Sequence, residues 1–373
     1  MKVLLTSKSP LKKEALWIGA QAPFTNVDIQ LESISGSVEQ PINEDEDYSE
    51  RQSLTCANER IDKALDMKPV VEWIISIENG IVNDGIVYYD VCDVVFHHVE
   101  TGKRYSTRNM PFDLMIKIPI PDVLCKNIWE VYTKDMTIGT QIAQKFQILT
   151  EDGSLNHNNW MAHFGMNRTI QMSLSIEYVY NILKESLQEP IKEKVIVTPD
   201  FPQPGVVFQD YQHVFGDSQL FKRIAGYFCR DLEIVKDSYI VAGPELRGYA
   251  GMHIAELLKV PHSMIRKSKN EKFKMGGDLA VQPLEVKEYD DGKEAFYCLR
   301  DTFKNKKVIL FDDLLATGGS IMACQKLIEQ CGGYVVKMCF LADVPDCREK
   351  AKKNMGDEYQ KVDVVFNSEV LNN

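Results

Sequence analysis

The chain has 373 residues, of which 44% are hydrophobic and 26% are charged, and its formal net charge is −11. This length exceeds what one hydrophobic core usually organises, so two domains of ordinary size are expected. The acidic balance disfavours non-specific attachment to nucleic acid and favours small-molecule partners.

The first residues, MKVLLTSKSPLKK, contain too short an apolar run for a signal peptide, and no stretch approaches the ~20 apolar residues of a membrane helix. We therefore expect a cytoplasmic protein without a membrane partner. Nine cysteines are scattered without a Cys-x-x-Cys pair. This pattern predicts reduced, mostly buried thiols and disfavours disulfides and structural zinc.

The first half of the chain predicts an α/β domain. Runs typical of strands occur in MKVLLTS, VVEWIISIENGIV and YYDVCDVVFHHV, and SLTCANERIDKALDM has helical spacing. A helix in TIQMSLSIEYVYNILKESL is expected to close this domain. Because the charged segment QEPIKEKVIVTPDFPQPG that follows contains four prolines, we place the domains at residues 1–188 and 189–373.

The second half predicts a mostly parallel sheet. Strands in SYIVAG, VPHSMIR, KKVILF and YVVKMCFLAD alternate with helices in SQLFKRIAGYFCRDL, GYAGMHIAELL and GSIMACQKLIEQCG. A polar stretch runs from Lys267 to Gly292. This alternation places ligands at the carboxyl ends of the strands.

The segment VILFDDLLATGGS, from Val308 to Ser320, carries the clearest chemical pattern. An apolar strand runs into Asp312 and Asp313, and ATGGS leads directly into a helix. Backbone N–H groups at such a turn form a concave anion site, which glycines open to a phosphate. The carboxylates can accept hydrogen bonds from sugar hydroxyls or act through Mg²⁺. The alternative is an ordinary strand-turn-helix with a capping acid.

This segment resembles the phosphoribosyl-pyrophosphate signature of type I phosphoribosyltransferases. Around it, PDFPQPGVVFQD resembles the hood of adenine phosphoribosyltransferases, VAGPELRGYAG their pyrophosphate loop and IRKSK the start of their mobile loop. The order and spacing agree as well. The resemblance implies a type I phosphoribosyltransferase fold, with a parallel sheet and a hood, for the second domain.

The resemblance also implies how phosphoribosyl pyrophosphate binds. Asp312 and Asp313 would hold the ribose hydroxyls and count among the catalytic residues. The 5′-phosphate would be held by Ala316, Thr317, Gly318, Gly319 and Ser320. The pyrophosphate would be held by Glu245, Leu246 and Arg247.

Arg247 has a physical case of its own as a catalytic residue, because a guanidinium can clamp a leaving pyrophosphate as a point charge cannot. A surface arginine in a glycine-flanked loop is the alternative. In this chemistry Mg²⁺ and cationic groups stabilise the departing pyrophosphate while the base nitrogen attacks the anomeric carbon. Mg²⁺ is therefore the expected cofactor.

For the base, the resemblance implies that Phe208 stacks on a purine, that the backbone from Val206 to Gln209 reads its edge, and that Val344 forms the opposite wall. Core packing is the alternative for Phe208. Glu288 matches an acid of the family that lies near the base and assists its proton transfer, and a solvated acid is its alternative. The family often has a basic residue where this chain has Gln209, which leaves the choice of base open.

In the first half, TSKSPLKKEAL combines a strand, a Ser-rich turn and Lys12 at the start of a helix, an arrangement able to receive a phosphate tail. Glu78, in WIISIENGI, sits where a strand meets a glycine. An acid there can ligate Mg²⁺ for nucleotide hydrolysis, although a turn-forming acid fits the spacing equally well.

These segments, together with SGSVEQP and TCANERIDKA, resemble the inosine/xanthosine triphosphatase family over most of the first half. The resemblance implies that Ser7, Ser9, Lys12 and Arg168 bind a nucleoside triphosphate and that Glu78 binds the metal. The chain departs from the family at Ser9, where the family has asparagine, and in IAQKFQILT, where side chains replace glycines. Hydrolysis, an altered substrate and a structural or regulatory role are the open alternatives.

Together the two resemblances imply a bifunctional enzyme of purine nucleotide metabolism. One half would make AMP and pyrophosphate from adenine and phosphoribosyl pyrophosphate, as in purine salvage, and the other would hydrolyse inosine or xanthosine triphosphate. Both would need Mg²⁺, and both families commonly form homodimers. For the second half, a regulator that binds the sugar phosphate without turnover and a transferase for another heterocyclic base remain alternatives.

Overall fold

A computed structural model describes residues 2–20, 28–34, 42–43, 52–83, 87–108, 110, 118–120, 138–157, 160–201, 204, 207–232, 238–245, 248–268, 279–283 and 295–371. The chain divides into two compact units, Met1–Asn181 and Ile182–Asn373. The boundary predicted after residue 188 falls inside the helix Lys184–Lys192. That helix packs on the strand Val362–Phe366 and so belongs to the second unit.

The described strands of the first unit form one mixed sheet in the order β2-β1-β4-β5-β6, with β3 beside β4 and β7 beside β5. β1 is parallel to β2 and β4, and β4 is antiparallel to β5. The strands are β1 (Lys2–Leu5), β2 (Asp28–Leu31), β3 (Ile42–Asn43), β4 (Trp73–Asn83), β5 (Tyr88–His98), β6 (Arg104–Ser106) and β7 (Ile118–Pro119). The described helices of this unit are α1 (Pro10–Gly19), α2 (Gln52–Asp66), α3 (Ile138–Phe146) and α4 (Arg168–Asn181).

Helix α2 forms where the helical spacing predicted it. Its apolar residues Leu54, Ala57, Ile61 and Ala64 are buried and pack against Ile74 of β4. They recur every three or four positions, so they line one face of the helix. This face fixes the helix on the sheet.

The single helix predicted in TIQMSLSIEYVYNILKESL is instead two helices, α4 and α5 (Lys184–Lys192). Leu183, between them, has extended backbone angles, with φ −66° and ψ 139°. An extended residue cannot continue helical hydrogen bonding, so the apolar periodicity continues across a break in the backbone.

The second unit has a seven-stranded sheet in the order β12-β13-β11-β10-β14-β15-β16 and a separate hairpin of β8 and β9. Its described strands are β8 (Ile196–Pro199), β9 (Val207–Asp210), β10 (Tyr239–Pro244), β11 (His262–Ser268), β12 (Leu279–Pro283), β13 (Ala295–Leu299), β14 (Lys307–Leu315), β15 (Tyr334–Asp343) and β16 (Val362–Phe366). Besides α5, its described helices are α6 (Gln212–Gly216), α7 (Ser218–Cys229), α8 (Gly251–Leu258), α9 (Gly319–Gln330) and α10 (Arg348–Met355).

The mostly parallel sheet is confirmed. β11, β10, β14, β15 and β16 run parallel, whereas β12 and β13 form an antiparallel edge. β12 lies inside the polar stretch in which no strand was predicted. The sequence did not indicate β12, because the residues around it are polar. The strand forms through its pairing with β13 and not through a local apolar pattern.

The middle of this sheet positions the site. β14 lies between β10 and β15, and its residues Val308 to Phe311 are fully buried. A parallel strand covered on both faces needs such a continuous apolar run. The carboxyl ends of the three strands therefore meet at one edge, and Asp312 follows the apolar run within β14 close to that edge.

The described cysteines are all free thiols, and only Cys347 among them is more than slightly exposed. This confirms, for the described residues, the predicted buried thiols. Within the described ranges, no helix is both long enough and apolar enough to span a bilayer.

Candidate active site

Asp312 and Asp313 end the buried run of β14 on opposite sides of the strand. Asp312 is 7% exposed, and its Oδ1 accepts a hydrogen bond from the N–H of Asp313 at 3.0 Å. Burial and then the charge of Asp312 raise the pKa of the Cys324 thiol in α9. Burial and then the charge of Asp313 raise the pKa of the Tyr211 hydroxyl. The charges of the two acids thus act on groups of different elements, α9 and the segment that follows the β8–β9 hairpin.

The loop after the acids forms an open cleft. It is lined by Leu314, Leu315, Ala316, Thr317, Gly318, Gly319, Ser320, Ile321 and Phe340. The structure thus brings all five residues predicted for the 5′-phosphate to one cleft. Because α9 begins at Gly319, its first backbone N–H groups have no intrahelical acceptor and can donate to an anion.

Gly318 must be glycine for two reasons. Its φ is +80°, in the left-handed region, and a Cβ there would lie 2.8 Å from Cγ and Sδ of Met355. A side chain would therefore strain the backbone and collide with α10.

Val344 stands at the carboxyl end of β15, beside the same loop. Its N–H donates to the carbonyl of Leu315 at 2.8 Å. Just beyond it, Arg348 binds the Asp343 carboxylate through Nε and through Nη2, the latter at 2.9 Å from Oδ1. This two-pronged contact holds the turn that carries Val344.

The hairpin of β8 and β9 lies in the segment predicted to form the hood. Phe208 is half-buried, and its ring meets that of the exposed Phe201 edge to face at 5.3 Å. The Tyr211 hydroxyl donates to Oε1 of Gln209 at 2.6 Å. Tyr211, which no sequence motif indicated, thus holds the segment after the hairpin to Gln209 of β9. Val206 lies outside the described residues.

Glu245 begins the predicted pyrophosphate loop. Its N–H donates to Ile265 O at 2.7 Å, and its Oε2 accepts from the N–H of Lys267 at 3.1 Å. The side chain thus binds the end of β11, which leads into the predicted mobile loop. Leu246, Arg247 and Glu288 lie outside the described residues, so their predicted roles stay predictions.

In the first unit, two cations flank the Glu78 carboxylate, which is 6% exposed. Lys12 Nζ lies 2.9 Å from Oε1, and Arg60 Nη2 lies 3.1 Å from Oε2. Lys12 also donates to Ile77 O. Ser7 and Ser9 are half-buried in the turn before α1, where the Ser9 N–H donates to Ser7 Oγ at 3.1 Å.

Arg60 was missed in the sequence, although a signal was present. It shares the helical spacing of the buried Ser53, Ala57 and Ala64, so it points toward the sheet. A charge on the inward face of a helix usually has a buried partner. Here that partner is Glu78.

Arg168 does not join this cluster. Its Nη2 lies 3.3 Å from Oδ2 of Asp90, which also accepts from Asn79 Nδ2 at 2.9 Å on its other oxygen. Asp93 lies directly opposite Glu78 on the neighbouring strand, so the two side chains share one face of the sheet. Asp90 is three residues from Asp93 on the same strand, and side chains alternate between the faces. Asp90 therefore faces the opposite side of the sheet from Glu78, and Arg168 lies with it.

The Mg²⁺ that the resemblances imply fits Asp312 and Asp313 better than Glu78. Mg²⁺ at phosphate-transfer sites usually keeps several waters and takes one or two carboxylates together with substrate phosphates. Asp312 and Asp313 directly precede the cleft predicted to hold the 5′-phosphate, whereas both oxygens of Glu78 already face cations. Across the described residues, no group of three or more His, Cys, Asp and Glu side chains is arranged to hold a metal ion.

Comparisons with known proteins match the second unit. The phosphoribosyl transferase domain family matches residues 230–370. The adenine phosphoribosyltransferase of Agathobacter rectalis is 35% identical over 158 residues, which are 41% of this chain and 85% of that protein. That of Lachnoclostridium phytofermentans is 36% identical over 168 residues, which are 43% of this chain and 91% of that protein.

Among solved structures, the adenine phosphoribosyltransferase of Thermoanaerobacter pseudethanolicus is 29% identical, with a TM-score of 0.41. The match covers 48% of this chain and 98% of that one. On the strength of the two sequence relatives, each covered over most of its length, the chain belongs through its second unit to the phosphoribosyltransferase family, where it is similar to the adenine phosphoribosyltransferases.

Proposed function

We propose that the second unit transfers the phosphoribosyl group from phosphoribosyl pyrophosphate to adenine and releases pyrophosphate. The observation that carries the proposal is the cleft lined by Leu314 to Ile321, which contains a glycine turn and a helix N-terminus and directly follows the acid pair on β14. A ribose 5-phosphate has the matching groups, namely a phosphate dianion and vicinal hydroxyls.

In this proposal the loop N–H groups from Ala316 to Ser320 hold the 5′-phosphate. Asp312 and Asp313 accept hydrogen bonds from the ribose hydroxyls. Positive charge that develops on the sugar as pyrophosphate leaves is stabilised by the same carboxylates. When bound, Mg²⁺ neutralises the pyrophosphate. Arg247, with the backbone of Glu245 and Leu246, clamps the leaving group.

The base would lie between the hood and the end of β15. Phe208 stacks on one face of adenine, the backbone from Val206 to Gln209 reads its edge, and Val344 closes the other side. Glu288 moves a proton at the base. Adenine is the base named for the relatives, and it comes to this chain by that similarity.

For the first unit, we propose hydrolysis of inosine or xanthosine triphosphate at the cluster of Lys12, Arg60 and Glu78. The supporting observation is that two cations and the Ser7–Ser9 turn stand together at the carboxyl end of β1. Cations and turn N–H groups suit a triphosphate. Arg168, on the other face of the sheet, supports the fold of this unit through its ion pair with Asp90.

The transferase is tested by incubating the full chain with Mg²⁺, phosphoribosyl pyrophosphate and single bases, and by measuring pyrophosphate release. We expect release with adenine and its loss in Asp313→Asn. Release with another base only would assign a different acceptor. No release with any base, despite binding of the sugar phosphate, would establish the non-enzymatic regulator instead.

The hydrolase is tested with inosine and xanthosine triphosphates on the same preparation. We expect Glu78→Gln to abolish hydrolysis and to leave the transferase intact, while Asp313→Asn does the reverse. Each variant therefore controls for the folding of the other. If wild-type protein hydrolyses no purine triphosphate, this half of the proposal is wrong.

A further inference from the structure

Helix α10 contacts the loop predicted to bind the 5′-phosphate, residues 316–320, which we call the phosphate loop. No sequence motif indicated this contact. Asn354 Nδ2 donates a hydrogen bond to the carbonyl oxygen of Thr317 at 2.9 Å. The next residue, Met355, is 3% exposed and packs against Gly318. The helix end therefore touches the two residues at the tip of the loop.

This contact fixes the orientation of one peptide group. In a planar trans peptide the C=O and the following N–H point in opposite directions. Because Asn354 holds the carbonyl of Thr317, the N–H of Gly318 points away from α10. Gly318 has the conformational freedom to let this peptide flip, and a flipped peptide would present a carbonyl oxygen to the phosphate.

Helix α10 is itself anchored, so it can serve as a support. At its start, Arg348 binds the carboxylates of Asp343 and Glu369. Asp343 is held in turn through its backbone oxygen by Ser368 Oγ, at 2.5 Å. The helix is thus fixed at one end and contacts the loop at the other.

We propose that Asn354 is a positioning residue of the phosphate site, which keeps the Thr317–Gly318 peptide oriented with its N–H toward the bound 5′-phosphate. The inference rests on the proposed transferase function, because it assumes that a sugar phosphate occupies the cleft. Asn354 does not touch substrate. It acts through the loop.

The test measures the dissociation constant of ribose 5-phosphate by calorimetry on full-length protein. Asn354→Ala removes the donor without adding charge, and Asn354→Asp replaces it with an acceptor of the same shape. We expect both to raise the dissociation constant about three- to tenfold, the effect of one lost hydrogen bond. The thermal midpoint should not change, because Asn354 is exposed. At saturating phosphoribosyl pyrophosphate, kcat should stay within about twofold while KM rises.

Lys350→Gln is the matched control, because Lys350 is exposed on the same helix and the substitution changes the net charge as Asn354→Asp does. It should leave the dissociation constant unchanged. The inference would be overturned if Asn354→Ala bound ribose 5-phosphate with wild-type affinity. It would also be overturned if the dissociation constant rose in Asn354→Asp and Lys350→Gln but not in Asn354→Ala, because the change in net charge would then be the cause. If folded wild-type protein does not bind ribose 5-phosphate, the proposed function fails, and the inference fails with it.

Discussion

Arg230 and Asp363 form a buried ion pair in the second unit, with Nη1 2.7 Å from Oδ2. The same carboxylate accepts from the Tyr227 hydroxyl at 2.8 Å and lies 3.1 Å from Nζ of Lys337. The side chains of Arg230 and Lys337 are 6% and 9% exposed. One carboxylate of β16 therefore serves two buried cations, one just after α7 and one on β15.

Replacing this carboxylate should destabilise the second unit strongly. In Asp363→Asn two buried cations lose a charged partner, and breaking such a pair costs about 3–5 kcal/mol. Unfolding in urea measures the loss. Asp357→Asn, at an exposed site, is the control and should change stability by less than about 0.5 kcal/mol. Equal stability of the two variants would contradict this account of the cluster.

The same carboxylate should make stability depend on pH. Burial raises the pKa of Asp363, but the charges of Arg230 and Lys337 outweigh burial and hold it below its ordinary value. A depressed pKa in the folded state stabilises the protein above the unfolded value of about 3.9, and that stability is lost as pH falls toward the folded pKa.

The stability difference between wild type and Asp363→Asn should therefore be complete near about pH 6 and narrow below about pH 4. Urea midpoints of both proteins across this range measure the difference. If the stability difference between wild type and Asp363→Asn grew as the pH fell, the pKa of Asp363 would be raised in the folded state, and the prediction would be wrong.

Gly318→Ala should reduce both stability and substrate binding. The left-handed φ disfavours a side chain by about 1–2 kcal/mol, and the new Cβ collides with Met355. Thermal unfolding and KM for phosphoribosyl pyrophosphate are the measurements. For stability, Gly319→Ala is the comparison, because its φ is not positive and its Cβ would meet nothing closer than 3.9 Å. If the two substitutions destabilise equally, the strain at Gly318 is not the cause.

Thiol reactivity should follow burial. Burial raises the pKa of Cys298 and of Cys229 to about 12, so little reactive thiolate is present at neutral pH. With a thiol-specific chromogenic disulfide we expect the half-buried Cys347 to react in the native protein, and all nine cysteines to react after unfolding. Cys347→Ser should remove one fast-reacting thiol. Rapid modification of Cys298 in native protein would contradict the prediction.

Much of the structure of the second unit could be predicted from the sequence, because its strands, turns and helices follow from patterns of neighbouring residues. The apolar run before Asp312 predicted a buried central strand, and β14 is one. The glycine turn and the helix after it needed only neighbouring residues to be recognised, and the structure has a cleft at this turn. In the first unit, the spacing of α2 likewise predicted its inward face.

The pairings between elements came from the tertiary structure alone. Lys12 and Arg60 lie far apart in sequence. They meet at Glu78 because β1, which leads into α1 with Lys12, and α2 with Arg60 both pack against β4. Arg168 meets Asp90 because strand alternation places that acid on the other face of the sheet.

The support of the phosphate loop is decided in the same way. Asn354 reaches Thr317 across 37 residues, because β15, which leads into α10, pairs with β14. Periodicity reports which side of an element is buried. The order and register of the strands decide which buried groups face one another, and that order depends on contacts that no local pattern contains.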